Sequence, residues 1–132
     1  MNPLAASANV IVLNTAVDLS AQTGHFVKCT TGTVAAMTSA TTETPAFLVV
    51  DGNTALLVSS LVPTTGAGGS VWRCYASGTI NFGERVIVQS DGTVITDPGS
   101  GARWIVGECV QPGGAVSGDL FMLTVSLTYV AS

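Results

Sequence analysis

The chain has 132 residues, a length that fits one domain. Only 9% of its residues are charged and 47% are hydrophobic, which excludes the composition of a disordered chain. The formal net charge is −4, and the few cations form no cluster in the sequence, which argues against binding to nucleic acid or to an anionic membrane. No apolar run approaches the ~18 residues of a membrane span, and the N-terminus lacks a basic signal-peptide start. We therefore expect a protein that stays in a cytoplasm.

The first sixteen residues differ from the rest, because they combine a proline, small residues and one short apolar run. This composition predicts an extended N-terminal arm over residues 1–16, followed by a single β domain over residues 17–132. An ordinary edge strand with a frayed start explains the same pattern.

Valine, threonine and glycine dominate the remainder, and this composition favours strands separated by tight turns. Turn signals at Asp51, Gly52 and Asn53 and at Ser90, Asp91 and Gly92 predict two hairpins. We predict an all-β fold, a small barrel or sandwich built from hairpins. Its strands are expected at residues 26–30, 33–37, 46–50, 55–62, 71–76, 85–89, 93–96, 103–110 and 120–130.

The last predicted strand has the clearest alternation in the chain. One set of alternate residues is apolar and the set between them is mostly polar, which is typical of a half-buried strand. The apolar set, which we expect to face the core, consists of Phe121, Leu123, Val125, Leu127 and Tyr129.

A short internal echo links the two halves of the chain. The sequence GHFV at residues 24–27 precedes GTV at 32–34, and GERV at 83–86 precedes GTV at 92–94. Because each pair precedes a further apolar strand, the echo predicts two similar β modules.

Catalytic and metal-binding patterns are weak. His25 is the single histidine, and Cys29, four residues later, lies roughly 13 Å away along an extended strand. The three cysteines contain no CxxC pair, and they read as free, mostly buried thiols. We expect no catalytic residue, no metal and no cofactor, and thus no enzyme, unless folding gathers His25 and two acids in one cleft.

Several stretches together resemble the capsid decoration, or cement, proteins of tailed phages. They are residues 24–28 with 32–34, residues 83–86 leading to 91–94, and WIVGEC at 104–109 before a Gly-rich turn and the closing strand. The resemblance implies a structural protein on the outer surface of the virion capsid, assembled in the host cytoplasm. Its implied partners are the major capsid protein and further copies of itself in a homotrimer, with neither nucleic acid nor membrane involved.

The arm is the candidate for contact with the shell, because an extended segment can add a strand to a neighbouring sheet. The capsid-contact candidates are Pro3, Leu4, Val10, Ile11, Val12 and Leu13. Three other readings stay open at this point: a tail, fibre or head-completion protein, a surface adhesin, and an enzyme with a dispersed site.

Overall fold

The structure, a computed structural model, describes residues 10–14, 18–30, 33–52, 58–65 and 70–132. In these residues it contains ten β-strands and one short 3₁₀ helix, Ser20–Gln22. The strands are β1 (Ile11–Asn14), β2 (Phe26–Thr30), β3 (Thr33–Ala36), β4 (Phe47–Gly52), β5 (Val58–Pro63), β6 (Val71–Tyr75), β7 (Arg85–Val88), β8 (Val94–Thr96), β9 (Arg103–Cys109) and β10 (Leu120–Val130).

The strands form two five-stranded sheets in which all neighbours pair antiparallel. The first sheet has the order β1-β5-β4-β2-β3 and the second has the order β6-β10-β9-β7-β8. Stiff, β-branched valine, isoleucine and threonine supply much of both sheets, which suits an extended backbone. The all-β prediction is confirmed.

The two sheets have the same topology. Strands β6 to β10 take the same places in the second sheet that β1 to β5 take in the first. The repetition extends to single hydrogen bonds. Gly24 N donates to Val49 O at 2.8 Å, and Gly83 N donates to Cys109 O at 2.8 Å. Both glycines have a left-handed backbone, with φ of 82° and 87°. The echo in the sequence therefore corresponds to a repeated structural module.

The two sheets share one core. Phe26, Leu48 and Val62 are neighbours across three strands of the first sheet and are completely buried. They belong to the same contact cluster as Cys109 and Leu123 of the second sheet. Removal of these side chains from water stabilises the two sheets as a unit, at roughly 1.5–3 kcal/mol per large apolar side chain.

The opposite face of the first sheet is also buried. Val27, Val34, Val49 and Leu61 form a second cluster with Leu19, which comes directly before the 3₁₀ helix. The chain segment around Leu19 therefore covers the face of the first sheet that points away from the shared core.

Equivalent faces of the two modules differ in polarity. The repeat places Phe26, Leu48 and Val62 of the first sheet at the positions of Arg85, Glu108 and Thr124 of the second. Arg85 and Glu108 are exposed. Packing of a further sheet on this face would desolvate both charged groups, and no other sheet of the described residues covers it.

The predicted turn at residues 51–53 is wrong in its first two positions. Asp51 and Gly52 continue β4, pairing with Ser60 and Ser59 after a register shift at Val49. Glycine is required at this last position of β4, because a Cβ on Gly52 would lie 2.1 Å from the carbonyl oxygen of Leu19. The glycine marks a close backbone approach and not a turn. Asn53 and the predicted strand start at 55–57 lie outside the described residues.

The alternation of β10 holds from Phe121 to Leu127 and ends before Tyr129. Phe121, Leu123 and Val125 are fully buried, but Tyr129 is 45% exposed. Leu127 is partly buried against the shared core, and a bulge between Val125 and Thr128 shifts the register. The Tyr129 ring instead packs on Trp104, with ring centroids 4.8 Å apart.

Candidate interaction surface

His25 lies in a surface pocket of ≈ 330 Å³, together with Tyr75, Asp91 and Ser117 among its lining residues. The imidazole packs on the Tyr75 ring, with centroids 5.5 Å apart, and its Nδ1 atom is buried with no hydrogen-bond partner among the described residues. The pocket contains a single acid. Its carboxylate is already occupied, because it accepts hydrogen bonds from the backbone N–H and the hydroxyl of Thr93 at 3.0 and 2.6 Å.

The hydrogen bonds to Asp91 have an electrostatic consequence. Partial burial opposes ionisation, but the Thr93 hydrogen bonds and the nearby His25 lower the pKa of Asp91 overall. The carboxylate is therefore held as a turn-stabilising acceptor. In the described part of the chain, no group of three or more His, Cys, Asp or Glu side chains is placed to hold a metal ion.

The three cysteines are free thiols. Cys74 on β6 and Cys109 on β9 are both buried, but β10 lies between their strands. Two strand spacings separate them by roughly 9.6 Å, beyond the reach of a disulfide. Burial, with a smaller contribution from neighbouring Cys109, raises the pKa of the Cys74 thiol well above its ordinary value.

The predicted capsid-contact residues are only partly described. Pro3 and Leu4 lie outside the described residues. Ile11, Val12 and Leu13 lie in β1, an edge strand that pairs with β5, and Val10 packs partly buried against the shared core. Val12 is 63% exposed and is available to a partner.

Charged side chains in the described residues are sparse, and four of the twelve form ion pairs. Lys28 forms an ion pair with Glu43, and Arg103 forms one with Asp97. Arg85 lies opposite Glu108 across β7 and β9. No helix in the described part of the chain is long and apolar enough to span a membrane.

The Glu43 carboxylate collects several donors at the end of β3. It forms an ion pair with the ammonium of Lys28. It also accepts hydrogen bonds from the backbone N–H of Thr38 at 2.7 Å, from the Thr38 hydroxyl at 2.7 Å and from the backbone N–H of Ser39 at 2.9 Å. These bonds, first of all the one from Lys28, lower the pKa of Glu43 to about 2. The network fixes the segment that leads from β3 to β4.

An apolar cleft of ≈ 330 Å³ lies between the edge strand β6 and strand β4 of the other sheet. Val49 and Val50 line it on one side and Val71, Trp72 and Arg73 line it on the other, while Leu120 and Met122 belong to the neighbouring β10. Val71 is 51% exposed and Leu120 is 45% exposed. Exposed aliphatic side chains gathered around a cleft are typical of a protein–protein contact surface.

Chains of similar fold occur among the solved structures. The chain is similar in fold to the crystal structure of the N base of head fiber gp8.5 in bacteriophage phi29, with a TM-score of 0.58 and 16% sequence identity. The match covers 93% of this chain and 98% of that chain. Likeness at this identity shows a shared fold. No protein-family model and no curated protein matches the sequence.

Sequence reasoning missed the cleft, although its strand was predicted. In residues 71–76 both alternate sets mix polar and apolar side chains, so the pattern does not tell which face is buried. The structure explains the ambiguity, since β6 is an edge strand with a buried Cys74 and an exposed Arg73. In this chain, the mixture of polar and apolar side chains on both faces of the predicted strand is the sequence signal for an edge strand.

Proposed function

We propose that this chain is a structural protein of a phage virion, which binds the outer surface of the head and stabilises the shell by bridging major capsid subunits. The observation that carries the proposal is the likeness of nearly the whole chain to the N base of a phage head fiber. The stretches of sequence that resemble decoration proteins support the same assignment.

The surface of the chain supports a role in assembly. With 9% charged residues, it lacks the dense charge that keeps most soluble proteins apart. Large apolar side chains at exposed positions supply the uncharged centre that protein interfaces need, and Val12 and Val71 are each at least half exposed.

The shared core supports bridging. A protein that links two capsid subunits must transmit force between its contact regions, so its modules have to form one body. Phe26 N donates to Gly92 O at 2.9 Å and Tyr75 N donates to Gly24 O at 3.0 Å, so that backbone hydrogen bonds also join the two modules. A ligand that binds only the assembled shell stabilises it by mass action, and many copies multiply the effect.

A second candidate is the base of a fibre, without shell-stabilising activity. The similar structure favours it, because that protein is the N base of a head fiber. The two candidates differ in whether binding strengthens the shell, which a stability assay on the particles measures.

The test is co-sedimentation of the purified chain with heads of the virus that encodes it, before and after shell expansion. We expect binding to expanded heads and a higher temperature for their disruption. Binding with unchanged disruption temperature favours the fibre base, and no binding to either particle contradicts a head protein. Light scattering tests the homotrimer separately, with an expected mass about three times the 13.3 kDa of the chain.

Matched variants test whether β1 contacts the shell. Val12 and Phe82 are both 63% exposed, so aspartate at either position should leave the fold intact. We expect V12D to weaken binding to heads by about tenfold or more, because it places a charge in an apolar contact, while F82D retains it. Equal loss in both variants, or loss in F82D alone, contradicts a β1 contact.

A further inference from the structure

The outer edge of β6 presents backbone groups that no described strand pairs. Hydrogen bonds from Ala76 N to Asp119 O and from Val125 N to Ser70 O fix which β6 residues face β10. Because alternate residues of an antiparallel pair point to opposite sides, Val71 and Arg73 direct their N–H and C=O groups away from β10. Tyr75 has the same orientation, and its N–H is bonded outward to Gly24 O at 3.0 Å.

This edge, which is unpaired among the described strands, opens into the apolar cleft. Gly24 closes one end, where a Cβ would lie 2.8 Å from the Tyr75 ring, so the cleft is blocked beyond that point. From Arg73 towards Val71 no described strand covers the edge, and Val50 lies in the opposite wall. An unpaired strand edge beside an apolar wall is the arrangement that accepts an added strand.

Arg73 gives this edge a charge preference. The other three cations each have a carboxylate partner or a carboxylate directly across the sheet, whereas Arg73 has no carboxylate within ion-pair distance among the described residues and pairs across the sheet with Met122. Arg73 is also exposed. An incoming strand with an acidic residue at this position gains a charge pair at the rim of the contact.

We propose that the β6 edge is a strand-acceptor site, which binds an extended segment of another protein with alternating apolar side chains and an aspartate or glutamate beside Arg73. The segment would form backbone hydrogen bonds with Val71 and Arg73 and place its apolar side chains against Val50, which is partly buried beside the shared core. This site does not depend on the virion role, since any protein that offers such a strand would bind.

A second copy of this chain fits the site less well. Antiparallel pairing of β6 with β6 of another copy would place two Arg73 side chains close together, and like charges at neighbouring positions are destabilising. The equivalent edge of the first module, β1, has Val12 at the position of Arg73 and therefore lacks the charge.

The experiment is a titration of the ¹⁵N-labelled full chain with two synthetic six-residue peptides. Both alternate valine and serine, and one carries a central aspartate where the other carries lysine. We expect the aspartate peptide to slow hydrogen exchange at the Val71 and Arg73 amides and to bind about fivefold more tightly than the lysine peptide. In R73E the order of the two peptides should reverse.

Proline substitutions test the backbone contribution. V71P removes an outward-facing N–H and should abolish peptide binding while the fold persists, as seen from unchanged amide shifts in β9 and β10. W72P removes an N–H that bonds to β10, so it should destabilise the protein itself. The proposal is overturned if peptides bind V71P as well as the wild type, if the two amides gain no protection, or if R73E leaves the peptide order unchanged.

Discussion

Truncation of Phe26 tests whether the two sheets unfold as one unit. The side chain is completely buried in the cluster that contains residues of both sheets. Loss of an aromatic side chain from a packed core removes its hydrophobic burial and leaves a cavity, which costs about 3–5 kcal/mol. We expect F26A to lower the free energy of unfolding by this amount. F82A, at a position that is 63% exposed, should change it by less than about 0.5 kcal/mol.

The two tryptophans make the assay specific. Trp72 lies in β6 and Trp104 in β9, so the intrinsic tryptophan fluorescence comes from residues of the second sheet, while Phe26 lies in the first. Urea unfolding followed by fluorescence and by far-UV circular dichroism should shift by the same amount in F26A. If fluorescence keeps the wild-type midpoint while circular dichroism shows an earlier transition, the sheets unfold independently and the reasoning fails. F26L, expected to cost about 1.5 kcal/mol or less, serves if F26A does not fold.

Three further predictions follow from single contacts. G92A should destabilise by about 1–3 kcal/mol more than G99A, because both glycines have positive φ but only a Cβ at Gly92 would clash, 2.4 Å from the carbonyl oxygen of Phe26; urea midpoints measure the difference. Stability contributed by Glu43 should be complete above about pH 4.5 and be lost as the pH falls towards about 2, because its folded pKa is depressed to about 2; E43Q should flatten this dependence in unfolding curves. A thiol reagent should modify Cys29 alone in the native protein and all three cysteines after denaturation.

Each of these has a contrary result. Equal destabilisation by G92A and G99A would mean that the contact between Gly92 and Phe26 is relaxed. An acid dependence that is the same in E43Q and wild type would remove Glu43 as its source. Rapid native labelling of more than one thiol would contradict the burial of the other two cysteines.

The sequence predicted those features that depend on local pattern. The Asp91-Gly92 turn between β7 and β8 is correct, because positive φ at Gly92 and the hydrogen bonds of Asp91 to Thr93 are properties of adjacent residues. The echo around Gly24 and Gly83 also corresponds to a structural repeat, since both glycines have positive φ and precede the equivalent strands β2 and β7.

The features that the sequence did not predict depend on residues far apart in the chain. Gly52 resembles a turn glycine, but its role is the close approach of Leu19, more than thirty positions earlier. The bulge in β10 and the cleft beside β6 likewise arise from pairing between strands. Periodicity describes one strand at a time and does not contain this information.

The central claim is that the chain attaches to the outside of a phage head. Electron cryomicroscopy of heads with and without the added chain tests it most directly. The account predicts extra density on the outer surface of the shell, into which the two five-stranded sheets fit as one rigid body that touches more than one capsid subunit. Extra density confined to the tail or the interior, or no extra density at saturating protein, would contradict it.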